Sequence, residues 1–95
     1  MNNQTIQQII IDAAEETHPP FAAEVREHGS ETVLFGRGST LDSLGLVTLI
    51  AAVEMRLQDA TGKDILLVNE DAMSRRRSPF RTIGTLIEYI QEGLT

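Results

Sequence analysis

The chain has 95 residues, 14 acidic against 8 basic side chains for a net charge of −6, no cysteine, no tryptophan, three phenylalanines and one tyrosine. That length makes one small domain over residues 1–95, burying roughly 60–70% of its unfolded surface around an aliphatic core. Disulfides, cysteine-ligated zinc and a cysteine nucleophile are excluded. The start, Met1-Asn2-Asn3-Gln4, lacks the basic and apolar regions of a signal peptide, and no apolar stretch approaches the ~20 residues that span a bilayer. A cytoplasmic chain with no membrane insertion is expected.

In chain order, Thr5-Ile6-Gln7-Gln8 fits a capping box, and Ile6, Ile9, Ile10 and Ala13 follow at helical spacing, predicting a first helix to about Glu16. Pro19-Pro20 ends it. Residues 17–42 read as a long connection with turns at Gly29, Gly36 and Gly38, one helical turn at Phe21–Val25, and Leu34 and Phe35 pinning the segment to the core. A second helix is predicted from about Ser43 to Asp59. Leu46, Leu49, Ile50, Val53 and Leu57 form one apolar stripe, with Leu44, Val47 and Ala51 beside it. A helix apolar on more than one face is central, or meets a partner as well as the core. Gly62 is its stop signal.

Asn69-Glu70-Asp71-Ala72 reads as a cap and the acidic first turn of a short third helix, interrupted by Arg75-Arg76-Arg77-Ser78-Pro79. The last helix follows Thr82, with Ile83, Leu86, Ile87, Ile90 and Leu94 at helical spacing and an end near Gly93. The predicted class is all-α: a small four-helix bundle of three main helices and a short third one.

Ser43, between the loop and the second helix, has two readings. A serine there is a helix-start residue, or an exposed hydroxyl that receives a prosthetic group. Hydrolytic use needs a base and an orienting third group. His18 and His28 both fall in loop sequence without a surrounding motif and read as solvated. Glu15, Glu16, Asp59, Asp64, Glu70 and Asp71 match no ion-binding pattern and read as solvated faces. No catalytic residue and no metal ligand is assigned. The basic run Arg75–Arg77 stands against an acidic body with no interleaved aromatics, which argues against nucleic acid and for a solvated loop or a partner contact.

Leu41-Asp42-Ser43-Leu44, the apolar helix behind it, the turn at Asn69–Asp71 and Thr82-Ile83-Gly84-Thr85-Leu86-Ile87-Glu88-Tyr89-Ile90 together resemble the acyl carrier protein family over about residues 3–92. The resemblance implies a bundle of acyl-carrier type, with 4′-phosphopantetheine attached to Ser43 by a phosphopantetheinyl transferase, and acyl groups carried on its thiol as thioesters. Such a chain is a carrier, not an enzyme. It would serve an acyl-activating ligase, acyltransferase or synthase, as a monomer. Asp42 would support metal binding in the loading complex, or simply cap the helix; Leu44 would meet the arm and the partner surface.

The resemblance makes the second helix the partner face, through Gly45, Val47, Thr48, Ala51 and Glu54. Leu46, Leu49, Ile50, Val53, Leu57, Ile83, Leu86, Ile87 and Ile90 would form the core and the lining of an acyl chain. Fatty-acid carriers usually hold acids two and five residues after the serine, where this chain has Gly45 and Thr48. Glu54 remains, but beside apolar Met55. Losing those acids weakens charge-steered recognition. The expectation is a specialised stand-alone carrier of lipid, secondary-metabolite or cell-envelope metabolism, which meets its partner by a more apolar contact. A D-alanyl or other aminoacyl or peptidyl carrier is one alternative. An unmodified helical interaction domain is the other.

Overall fold

A computed structural model describes residues 1–68 and 78–94. Those residues form four α-helices and one 3-10 turn, with no β-strand among them. The predicted short helix at Asn69–Ala72 and the run Arg75–Arg77 lie outside the described residues.

Helix α1 spans Asn3–Thr17. Its cap is Asn2, whose side chain accepts the Thr5 N–H at 2.8 Å. The capping box expected at Thr5–Gln8 is therefore displaced: an asparagine three residues earlier already satisfies the Thr5 amide. Ile6, Ile10, Ala13 and Ala14 are buried, as the spacing requires.

Helix α2, Pro19–His28, occupies the first part of the expected loop. Pro19-Pro20 does end α1, but the two prolines also stand at the first positions of α2. There the missing N–H costs nothing and the fixed φ is already helical. Phe21, Ala22 and Val25 form its buried face, so the single turn expected at Phe21–Val25 is a ten-residue helix.

A 3-10 turn, Gly29–Glu31, leads into Thr32. Val33 then pairs with Thr82 as an isolated antiparallel bridge. The Leu34 N–H donates to the Arg81 carbonyl at 2.9 Å and the Ile83 N–H to the Thr32 carbonyl at 3.0 Å. Gly84 lets the turn approach, since a Cβ there would lie 3.1 Å from the Ser30 carbonyl oxygen.

Helix α3 spans Ser43–Thr61, two residues beyond the expected end. Gly62 closes it with φ +73°, a left-handed conformation that glycine adopts without steric cost. Helix α4 spans Ile83–Leu94. Thr82 and Thr85 cap its start reciprocally: the Thr85 N–H donates to Thr82 Oγ1 at 3.1 Å, and the Thr82 N–H to Thr85 Oγ1 at 3.0 Å.

The core lies where α1 packs on α2 and α3, closed by α4. Ile6, Ile10, Phe21, Leu34, Leu49, Val53, Leu57, Ile83, Leu86 and Ile90 are all fully buried. Of the two residues expected to pin the loop, Leu34 is in this core, whereas Phe35 is 42% exposed.

Candidate functional site

The first turn of α3 is held from below. Asp42 has extended backbone, and its Oδ1 accepts the Gly45 N–H at 2.7 Å while its carbonyl accepts the Leu46 N–H at 2.9 Å. Asp42 is thus the helix cap, whatever else it does. Ser43 follows at the first helical position, exposed. Its hydroxyl has no hydrogen-bond partner among the described residues. A serine that served as the cap would spend its oxygen on the helix amides. Here Asp42 does that, and the Ser43 hydroxyl stays available.

The approach to Ser43 is anchored at two points. Leu34 and Leu41 are buried. Ser39 ties them together: its hydroxyl donates to the Leu34 carbonyl at 2.8 Å and accepts the Leu41 N–H at 3.0 Å. Thr40 Oγ1 donates to Glu24 Oε2 on α2 at 2.7 Å. Helix α2 therefore braces the segment that delivers Asp42-Ser43-Leu44.

His18, expected in solvent, sits at the corner between α1 and α2 against the start of α3. A Cβ at position 45 would lie 3.1 Å from both His18 Nε2 and Asp42 Oδ1. His18 Nδ1 is buried without a hydrogen-bond partner. His28 does lie exposed, its Nε2 3.8 Å from Glu27 Oε2. Gly45 is accordingly buried and does not belong to a partner face. A side chain at this position would meet the His18 corner, whereas Thr48 is exposed.

Glu54 departs from expectation as well. It is half-buried, and its Oε2 accepts the Leu67 N–H at 2.6 Å, so it fastens the chain after α3 rather than facing a partner. Leu44, Val47, Thr48 and Ala51 are exposed, joined by Met55. Leu44, Val47, Ala51 and Met55 recur at helical spacing as an uncharged stripe. The acids Glu15 and Glu16, read as solvated, lie at the surface but in ion pairs with Arg26 and Arg56. Among the described residues no group of acidic or histidine side chains converges as a metal site.

An apolar pocket of about 300 Å³ opens beside α3. Leu46, Val47 and Ile50 form its helix wall; Phe35, Val68 and Phe80 face them, and among the described residues Ser78 is the one polar side chain lining it. Of the residues expected to line an acyl chain, Leu46 and Ile50 are here. Leu49, Val53, Leu57, Ile83, Leu86, Ile87 and Ile90 are buried in the core cluster and line no part of this pocket. Phe35 and Phe80 were missed as lining. Their signal was isolated aromatic residues in loop sequence of a chain otherwise poor in aromatics.

No helix among the described residues is long and apolar enough to cross a membrane. Comparison with protein-family models, with curated proteins and with solved structures finds no match to this chain.

Proposed function

We propose that the chain is a carrier protein whose Ser43 hydroxyl bears 4′-phosphopantetheine. The observation that carries this reading is the division of labour at the start of α3. Asp42 caps the helix, and the exposed Ser43 hydroxyl is left without a partner. The site suits the group on physical grounds. Unpaired N–H groups at a helix start and the helix dipole favour a phosphodiester anion there. The amides of Ser43 and Leu44 bond to no acceptor among the described residues.

When attached, the group supplies a terminal thiol on which an acyl chain is held as a thioester. The chain contributes placement. Asp42 fixes the backbone at the start of α3, Leu34 and Leu41 hold the approach, and the apolar pocket beside Val47 would offer shelter from water. With no cysteine in the sequence, an arm on Ser43 would bring the only thiol. The chain itself performs no catalysis; it presents cargo to a ligase, acyltransferase or synthase of a lipid, secondary-metabolite or cell-envelope pathway. The apolar lining supports acyl cargo over D-alanyl or other aminoacyl cargo, because a charged ammonium would lose its hydration there.

The exposed stripe Leu44, Val47, Ala51 and Met55 supports a second reading, an unmodified helical interaction domain. One experiment separates the two. The protein is incubated with coenzyme A and a broad-specificity phosphopantetheinyl transferase, and its intact mass is taken. The carrier reading expects a gain of one phosphopantetheinyl group, abolished by Ser43→Ala. No gain leaves the interaction domain; a gain that survives Ser43→Ala moves the site elsewhere.

A further inference from the structure

We infer that His18 is a positioning residue for the loading of Ser43: its ring keeps the Asp42 carboxylate in the place from which it fixes the first turn of α3. This rests on the carrier reading and adds to it a residue from outside the motif.

The backbone of His18 is held from both sides. Its N–H closes α1 by donating to the Ala14 carbonyl at 2.6 Å. Its own carbonyl accepts the Phe21 N–H at 2.9 Å and the Ala22 N–H at 3.2 Å at the start of α2. Ala14, Phe21 and Ala22 are buried, so the corner is packed as well as bonded, and the ring has a set direction. Its Nε2–Cε1 edge lies against Gly45: a Cβ there would stand 3.1 Å from Nε2 and 3.3 Å from Cε1. The same point is 3.1 Å from Asp42 Oδ1. The space that a side chain at position 45 would take is therefore shared by the imidazole edge and the carboxylate that caps α3.

The two ring nitrogens have unlike surroundings. Nδ1 is buried with no hydrogen-bond partner among the described residues, so a proton there would be a donor without an acceptor. A neutral imidazole carries its proton on one nitrogen. The Nε2–H form puts that proton on the edge that faces the carboxylate and leaves no stranded donor inside. An apolar side chain would fill the corner without burying an unpaired nitrogen, which is unfavourable. The ring thus costs more than packing alone requires, and what it adds is a polar edge turned to Asp42. Beside that edge the carboxylate stays on the Gly45 amide, at 2.7 Å.

Ser43 is the next residue, at the first helical position. In loading, its oxygen bonds to the phosphorus that bears the pantetheine arm of coenzyme A. The bond from that phosphorus to the 3′-phospho-AMP leaving group breaks, and the hydroxyl proton passes to a base of the transferase. A nucleophile displaced by about 1 Å can lose about a hundredfold in rate, so loosening the turn should be read in kcat rather than in binding.

The test measures kcat and KM for transfer from coenzyme A by a phosphopantetheinyl transferase. His18→Gln keeps an amide N–H that reaches as far as Nε2 and has no atom to strand at Nδ1; it should load within about twofold of the unaltered rate. His18→Leu fills the corner without a polar edge. It should lower kcat by about tenfold or more with KM within about twofold, the mark of an interaction realised only at the reacting centre. Urea denaturation of both variants checks that they fold. Gly45→Ala leaves His18 in place and puts a methyl between ring and carboxylate; it should lower kcat in the same way, and it decides the matter should His18→Leu not fold. In an Asp42→Ala background His18→Leu should slow loading no further, since the ring acts through the carboxylate. The inference is overturned if Gln and Leu slow loading equally, if neither Leu nor Gly45→Ala slows it, or if Leu slows it by the same factor with Asp42 absent. If the unaltered protein does not load, the carrier reading falls and the inference with it.

Discussion

Asp42 does two separable things in the carrier reading, and one atom tells them apart. Its Oδ1 caps α3 by accepting the Gly45 N–H, a contact whose loss typically costs about 1 kcal/mol. Asp42→Ala should lower stability by about that amount in urea denaturation. Asp42→Asn keeps an acceptor in the same place and should lose only a few tenths of a kcal/mol. If the carboxylate also supports metal binding during loading, Asp42→Asn should load Ser43 at least tenfold more slowly while remaining nearly as stable. Equal loading by Asp42→Asn and the unaltered protein would restrict Asp42 to the cap. Gly45 shows the other side of this crowding. Its hydrogen leaves room for both the Asp42 carboxylate and the His18 ring.

Among the elements, the connection before α3 depends on its anchors unequally. Leu34 is fully buried, and truncating a buried leucine costs about 2–5 kcal/mol. Leu34→Ala should therefore lower the denaturation midpoint severely. Phe35→Ala, one residue on, should cost less than about 1 kcal/mol, because much of the ring is already in water. A larger loss for Phe35→Ala would mean the ring is a core anchor. The sequence paired these two residues because both are apolar, and nothing in a single apolar run says which one turns inward. Helices α3 and α4 were legible because their apolar periods are long. Helix α2 was not, since a Pro-Pro pair serves equally as a stop and as a first turn, and its buried face is only Phe21, Ala22 and Val25. Burial of Gly45 is written in the period: positions 45, 49, 53 and 57 share one face, all buried. The Glu54 bond to the Leu67 amide links residues 13 apart through an irregular segment, and no local pattern encodes such a contact.

For the molecule as a whole, the proposed recognition stripe on α3 is uncharged although the chain is acidic. The net charge is −6, yet the α3 stripe beyond Ser43 exposes Leu44 at 75%, Val47 at 60% and Met55 at 68%. Charge-steered encounter falls steeply as salt screens it, whereas apolar burial does not. The KM for the phosphopantetheinyl transferase should change by less than about threefold across a tenfold rise in ionic strength. Met55→Asp or Val47→Asp should raise it by about tenfold, equivalent to about 1.4 kcal/mol of lost contact. A steep salt dependence with no effect of either substitution would place recognition on the charged remainder of the surface.

The His18 corner bears on portability. A serine that is locally encoded could be moved to another scaffold as a short tag. Here the turn beneath Ser43 rests on a ring supplied by the junction of α1 and α2, and the strand of chain leading to it is tethered to Glu24. A graft of residues 38–61 would copy the motif but leave its foundation behind. In the carrier reading, an acceptor hydroxyl at Ser43 would be a property of the folded bundle, and a minimal tag derived from this chain would have to begin upstream of His18.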